Sequence, residues 1–131
     1  MEILICGAEG KLGGAVRHAI AARRDCRLVA GVDPREGHGE YPWFASLSDA
    51  PGAEVVIDAS FHTALPDVVR GALCRGAALV VATTGHTAEE MATLTDAAGQ
   101  IPVFVSANYS IGAALLGEFA RRAASVFPDG E

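Results

Sequence analysis

The stretch Ile3-Leu4-Ile5-Cys6-Gly7-Ala8-Glu9-Gly10-Lys11-Leu12-Gly13 joins a short apolar run to a glycine loop of the form G-x-x-G-x-x-G. The run reads as a buried strand ending at Cys6, and Leu12, Val16, Ala19 and Ile20 recur at helical spacing from about Lys11 onward. Strand, glycine turn and helix in this order make a cradle for a pyrophosphate. Gly7 permits the tight turn, Gly10 admits backbone N–H groups to the phosphates, and Gly13 allows helix and strand to pack closely. The N–H groups of the first helical turn, with about half a positive charge from the macrodipole, face the anion. Gly7, Ala8, Glu9, Gly10, Lys11 and Leu12 are therefore candidate cofactor-binding residues.

Glycine spacing alone is a weak signal in a chain with 15 glycines. Position strengthens it. A second apolar run, Leu28-Val29-Ala30-Gly31-Val32, ends at Asp33, an acid placed to accept hydrogen bonds from an adenosine ribose.

The 131 residues fit one domain able to bury a substantial core, and 50% hydrophobic content argues a globular protein. Ten Lys+Arg against sixteen Asp+Glu give a net charge of −6, which disfavours nucleic acid as a partner. Cys6, Cys26 and Cys74, odd in number and without C-x-x-C spacing, read as reduced, buried thiols. The sequence shows neither a signal-peptide pattern nor an apolar stretch long enough for a membrane, so a cytoplasmic setting is expected. No residue cluster points to a metal.

Along the chain, the first helix is expected over Lys11 to Ala22, with Arg23, Arg24 and Arg27 complementing its C-terminal end. The segment from Pro34 to Trp43 reads as a loop, followed by one short helical turn near Ser46 to Asp49, with Trp43 and Phe44 covering the sheet edge. Strands at Val55 to Ser60, Ala78 to Ala82 and Pro102 to Ser106 alternate with helices over about Thr63 to Arg75 and Ala88 to Ala98. A last helix follows Ser110 as its cap. Continuous apolar strands separated by helices predict an α/β doubly wound parallel sheet, Rossmann-like, of about five strands with helices on both faces. Ligands then bind outside the carboxyl ends of the strands. The tips at Gly7 to Lys11, Asp33, Ser60-Phe61, Thr83-Thr84 and Asn108-Tyr109 all fall on that edge.

These tips carry a family resemblance. The glycine loop, Asp33, Val56-Ile57-Asp58-Ala59-Ser60, Ala82-Thr83-Thr84-Gly85 and Ser106-Ala107-Asn108-Tyr109-Ser110-Ile111-Gly112 together resemble the N-terminal half of the 4-hydroxy-tetrahydrodipicolinate reductases (dihydrodipicolinate reductases) of bacterial lysine and diaminopimelate synthesis. The resemblance implies that Ala82, Thr83 and Thr84, with Ala107, Asn108, Tyr109 and neighbouring Ser106, line the nicotinamide end of the cofactor. It also implies hydride transfer from NADH or NADPH to a cyclic unsaturated dicarboxylate. Two positions depart from the family pattern: Ala59 replaces a phenylalanine, for which Phe61 can partly substitute, and Ala82 replaces a glycine.

The family's second half carries an H-H-x-x-K segment that supplies an acid and a substrate-binding lysine. None of His18, His38, His62 and His86 stands in such a setting, and the only lysine is Lys11. Residues 1–131 are therefore expected to form a single dinucleotide-binding domain without the family's C-terminal substrate and oligomerisation domain. No catalytic residue is assigned, and cofactor binding without turnover is expected of this chain alone. The carboxylate of Asp33 favours NADH over a 2′-phosphorylated cofactor, by about 4 kcal/mol of unscreened repulsion at 4 Å and an effective dielectric near 20, with Arg35 and Lys11 able to offset it. A last helix apolar over more than one face suits self-association or a partner domain. The alternative reading is a non-catalytic dinucleotide-binding sensor or partner subunit.

Overall fold

The computed structural model describes residues 1–35, 37, 39–106 and 108–127. Its strands are β1 (Glu2–Cys6), β2 (Arg27–Val32), β3 (Trp43–Phe44), β4 (Val55–Asp58), β5 (Ala78–Val81) and β6 (Val103–Val105). Its helices are α1 (Lys11–Ala21), α2 (Leu65–Arg75), α3 (Ala88–Ala98) and α4 (Ile111–Val126), with single 3-10 turns at Leu47–Asp49 and His62–Ala64. All pairings are parallel, in the order β3-β2-β1-β4-β5-β6. Chain order reverses between β1 and β4, the switch point at which a doubly wound sheet opens its crevice.

One strand exceeds the expected five. Trp43 and Phe44 do cover the edge, and they do so as a strand, with Gly31 N–H donating to Pro42 O at 2.9 Å and Asp33 N–H donating to Phe44 O at 3.1 Å. The short turn after them is capped by Ser46, whose side chain accepts from the Ser48 amide.

Alternation along β1 splits the core. Leu4 and Cys6 join Val56, Leu79 and Val81 beneath α2 and α3, whereas Ile3 and Ile5 join Ile20 and Val16 beneath α1. Leu65, Val68, Val69 and Ala72 form the buried stripe of α2, and Pro66 in its first turn and Gly76 in a left-handed C-cap mark its ends. The Arg75 guanidinium donates to the carbonyls of Leu47, Ala50, Pro51 and Gly71, fastening the segment before β4 onto α2. Helix α3 begins with a capping box in which the Thr87 side chain accepts from the Glu90 amide and the Glu90 carboxylate accepts from the Thr87 amide.

Coverage of the two faces is uneven. In register, Ile5, Ile57, Val80 and Phe104 lie side by side, yet Phe104 is 58% exposed. Every described residue of α4 is exposed. Among the described residues, no helix is long and apolar enough to cross a membrane.

The three thiols are free, and only Cys6 is buried; Cys26 is half-buried and Cys74 exposed, because position 74 lies off the α2 stripe. Burial pushes the Cys6 thiol up to about 12, leaving it protonated and unreactive at neutral pH.

Adjacent glycines in α1 meet opposite surroundings. A β-carbon at Gly13 would lie 2.2 Å from the Gly7 carbonyl oxygen, whereas one at Gly14 would meet only Arg17 Nη2 at 3.9 Å. Urea denaturation is expected to show Gly13→Ala destabilised by about 2 kcal/mol or more through overpacking, and Gly14→Ala stabilised by about 0.5–1 kcal/mol through helix propensity.

Candidate functional site

The glycine turn sits at the centre of the strand-tip edge. Gly7 has φ +76, and a β-carbon on it would press to 2.4 Å from the Ala59 carbonyl oxygen across the switch point. Its N–H donates to Val32 O at 2.8 Å, while Gly10 N–H donates back to Gly7 O at 3.0 Å. Gly10 is the N-cap of α1, without a side-chain cap and with no acid in the first helical turn. Lys11 and Leu12 open that turn, both exposed. Such an end, bare of side-chain oxygen, suits an anion.

Glu9, an acid within the turn, is drawn aside. Its carboxylate accepts from the Tyr41 hydroxyl and faces Arg17 Nη2 at 3.5 Å. Arg17 in turn lies over the Tyr41 ring, 4.9 Å from its centroid, and donates from Nε to Ala8 O at 3.0 Å. Burial, reinforced by the Glu9 bond, pushes the Tyr41 phenol up to about 12, so it remains a donor. Arg17 thus belongs to the turn rather than to the end of α1. Of the arginines after α1, Arg23 pairs with Asp25 and Arg27 with Glu2.

Asp33 is 2% exposed and accepts four hydrogen bonds. Arg35 supplies its backbone N–H (3.0 Å) and Nε (2.9 Å) to Oδ1 and Nη2 (3.0 Å) to Oδ2, and the Glu9 amide reaches Oδ2 at 3.1 Å. The guanidinium foremost, with both amides adding to it against the cost of burial, holds the Asp33 carboxyl below the usual carboxylate range. Asp33 thereby ties the second strand tip to the glycine turn. The exposed Arg35 side chain lies across it. A cleft of about 590 Å³ opens beside Gly7 and Asp33, bounded also by Pro34, Ser46, Ser60 and Cys74.

On the other side of the switch point, Asp58 is fully buried and accepts from the Ser60 amide (3.1 Å), Ser60 Oγ (2.5 Å) and Thr83 Oγ1 (3.3 Å). The two threonines of the fourth tip diverge. Thr83 turns inward, its hydroxyl donating to Asp58 Oδ2, while Thr84 is exposed. Ala82 is half-buried, its N–H held by Asp58 O at 2.8 Å. At the last tip Ser106 Oγ donates to Asn108 O at 3.1 Å, Asn108 Oδ1 accepts from the Ser110 amide at 2.8 Å, and the Tyr109 hydroxyl donates to Val81 O at 3.3 Å. Tyr109 therefore leans toward the tip that carries Thr83 and Thr84. Phe61 is exposed, and Ala107 lies outside the described residues, as do Glu36 and His38.

A family model described as "Dihydrodipicolinate reductase, N-terminus" matches residues 1–109. The chain belongs to the dihydrodipicolinate reductase family. It is 36% identical over 127 residues to a 4-hydroxy-tetrahydrodipicolinate reductase of Caldanaerobacter subterraneus subsp. tengcongensis, covering 96% of this chain and 51% of that protein. The corresponding reductase of Streptococcus pneumoniae (strain Hungary19A-6) is also 36% identical, with 100% of this chain and 54% of that protein covered. A dipicolinate-bound dihydrodipicolinate reductase from Paenisporosarcina sp. TG-14 superposes with a TM-score of 0.80 at 26% identity, over 98% of this chain and 55% of that one. Biliverdin reductase from Synechocystis sp. PCC 6803, at 15% identity and a TM-score of 0.63, shares the fold. The chain spans about half the length of the curated dihydrodipicolinate reductases it matches, and it corresponds to their N-terminal, dinucleotide-binding half.

The depressed Asp33 value fixes a pH dependence. Because the folded state holds the carboxylate more tightly than the unfolded chain does, its contribution to stability is present above the unfolded value of about 3.9 and is lost as pH falls through the lower folded value. Urea midpoints followed from about pH 6 to pH 2 are expected to fall with acidification in the wild type, and less steeply in Asp33→Asn.

Proposed function

We propose that this chain is the NAD(P)H-binding half of a 4-hydroxy-tetrahydrodipicolinate reductase, the enzyme that passes a hydride to a cyclic unsaturated dicarboxylate. The observation carrying the reading is the glycine turn: a φ that favours glycine at Gly7, contact without room for a β-carbon at Gly13, and a bare α1 N-terminus, all at the switch point. In this reading residues 7–12 hold the pyrophosphate, Asp33 and Arg35 the adenosine ribose, and Ala82 to Thr84 with residues 106–109 the nicotinamide. When bound, the cofactor supplies the hydride; the protein positions it and excludes water.

Residues 1–131 form a single binding domain in this proposal, acting in a cytoplasmic setting. Reduction of a dicarboxylate also needs cations and a proton source at the reacting carbon. Lys11, the one lysine, opens the turn, and Arg35 is engaged by Asp33, so the chain binds cofactor without turning over substrate by itself.

The choice of nucleotide rests on Asp33. Four donors fill its acceptor sites, two of them from the Arg35 guanidinium, so displacement of that side chain frees two acceptors for a ribose diol. A 2′-phosphate in the same place meets the carboxylate. Calorimetry is expected to show NADH binding more tightly than NADPH; NADPH binding at least about tenfold tighter would overturn the preference, and saturable uptake of neither would overturn the dinucleotide reading.

The exposed face of α4, which carries Ile111, Leu115, Leu116 and Phe119, together with Phe104 on β6, is in our reading an association surface. For the 131-residue chain alone the occupant proposed is a second copy, paired through α4. Light scattering is expected to give a mass of at least a dimer; a monomer at high concentration would overturn self-pairing.

A further inference from the structure

His86 lies on the loop between β5 and α3, two residues beyond Thr84, and its side chain is 6% exposed. Its Nε2 is 3.1 Å from the Thr83 carbonyl oxygen and 3.1 Å from Thr83 Oγ1. A carbonyl only accepts, so Nε2 carries the proton and donates to it. Thr83 Oγ1, sharing that proton as acceptor, passes its own to Asp58 Oδ2 at 3.3 Å. Gly85, with φ +83, lets the chain double back so that the ring closes the turn on itself.

The other face of the imidazole is buried too. Nδ1 makes no hydrogen bond among the described residues and faces Glu90 Oε2 at 3.6 Å. Glu90 is fixed independently, accepting from the Thr87 amide at 2.8 Å and from His62 Nδ1 at 3.2 Å, and the His62 ring stands edge-on to that of His86, with centroids 6.5 Å apart. The groups facing His86 are thus Thr83 from its own loop, Asp58 behind Thr83 on β4, Glu90 from α3 and His62 from the turn before α2.

We propose that His86 is a positioning residue for the nicotinamide end of the site. By holding both the carbonyl and the hydroxyl oxygen of Thr83, it turns that residue into the floor of the loop and leaves Thr84 and the adjoining backbone as the surface offered to the carboxamide. The inference rests on the dinucleotide reading above. It assigns the two threonines different tasks: Thr83 braces, and Thr84 faces the ligand.

The test compares NADH with ADP-ribose, which keeps the adenosine and diphosphate and lacks the nicotinamide, on the full-length protein carrying His86→Leu or His86→Gln. Glutamine can return an N–H to the Thr83 carbonyl; leucine cannot. The Leu variant is expected to bind NADH about tenfold more weakly and to lose the change in emission of bound NADH, with ADP-ribose affinity held within about twofold. The Gln variant is expected to recover most of the NADH affinity. Equal weakening of both ligands by His86→Leu, no weakening of either, or a Gln variant no better than Leu would each overturn the role of His86 while leaving the dinucleotide reading intact. Failure of the wild type to bind either ligand would overturn both.

Discussion

No β-carbon fits between Gly13 and the carbonyl oxygen of Gly7, and the rest of the site follows from that closeness. Helix α1 can start directly above the tip of β1 only because both partners present bare backbone there. Once it does, the turn's amides have two destinations: inward, where Gly7 N–H reaches Val32 O, or outward along the strand-tip edge. One that would otherwise face outward, the amide of Glu9, is taken by Asp33. The acid of the second strand and the glycines of the first loop are therefore one mechanical unit. Burial of Asp33 is tolerated because the loop and Arg35 satisfy its oxygens together.

The two acids at the tips on either side of β1 show how environment separates like residues. Asp33 meets a guanidinium and amides at the edge of a cleft, so its charge is held but can be re-partnered when an exposed arginine moves. Asp58, with no exposed surface, meets a hydroxyl and an amide of Ser60 and the hydroxyl of Thr83, all short side chains or backbone that cannot swing away. One carboxylate borders the cleft. The other is a fixed post on which the β5 tip is hung.

Much of this was legible in the sequence because it is local. Apolar runs, the helical spacing from Lys11 and the Ser110 cap each involve residues within one or two turns, and the helices begin and end close to where those patterns place them. Strand β3 was not legible: two aromatic residues in a loop rich in proline and glycine have no period, and their pairing is fixed by Gly31 and Asp33, distant in sequence. The opposite orientations of Thr83 and Thr84 were hidden for the same reason, since what decides between them is an acid on another strand. The exposure of Cys74 could have been read, because it falls outside the spacing of Leu65, Val68, Val69 and Ala72. His62 and His86 carried no motif of their own, although the capping box that fixes Glu90 marked a carboxylate around which buried side chains could gather.

The unequal covering of the sheet leaves two surfaces of different character. On one face α2 and α3 enclose a continuous core, and on the other α1 covers β1 and β2 while the row through Ile57 and Val80 runs out to an exposed Phe104. A polar α4 would leave that arrangement without consequence, but α4 carries Ile111, Leu115, Leu116 and Phe119 into solvent as well. Apolar surface of this extent has a cost of about 25 cal/mol for each Å² that stays in water. The first four strand tips, by contrast, do not lean on that surface: the glycine turn, Asp33, Asp58 and Thr83 are braced by β1, β2, β4, β5 and their own loops, and none of their described hydrogen bonds comes from α4. The nucleotide binding and the α4 association proposed above thus draw on separate groups among these contacts.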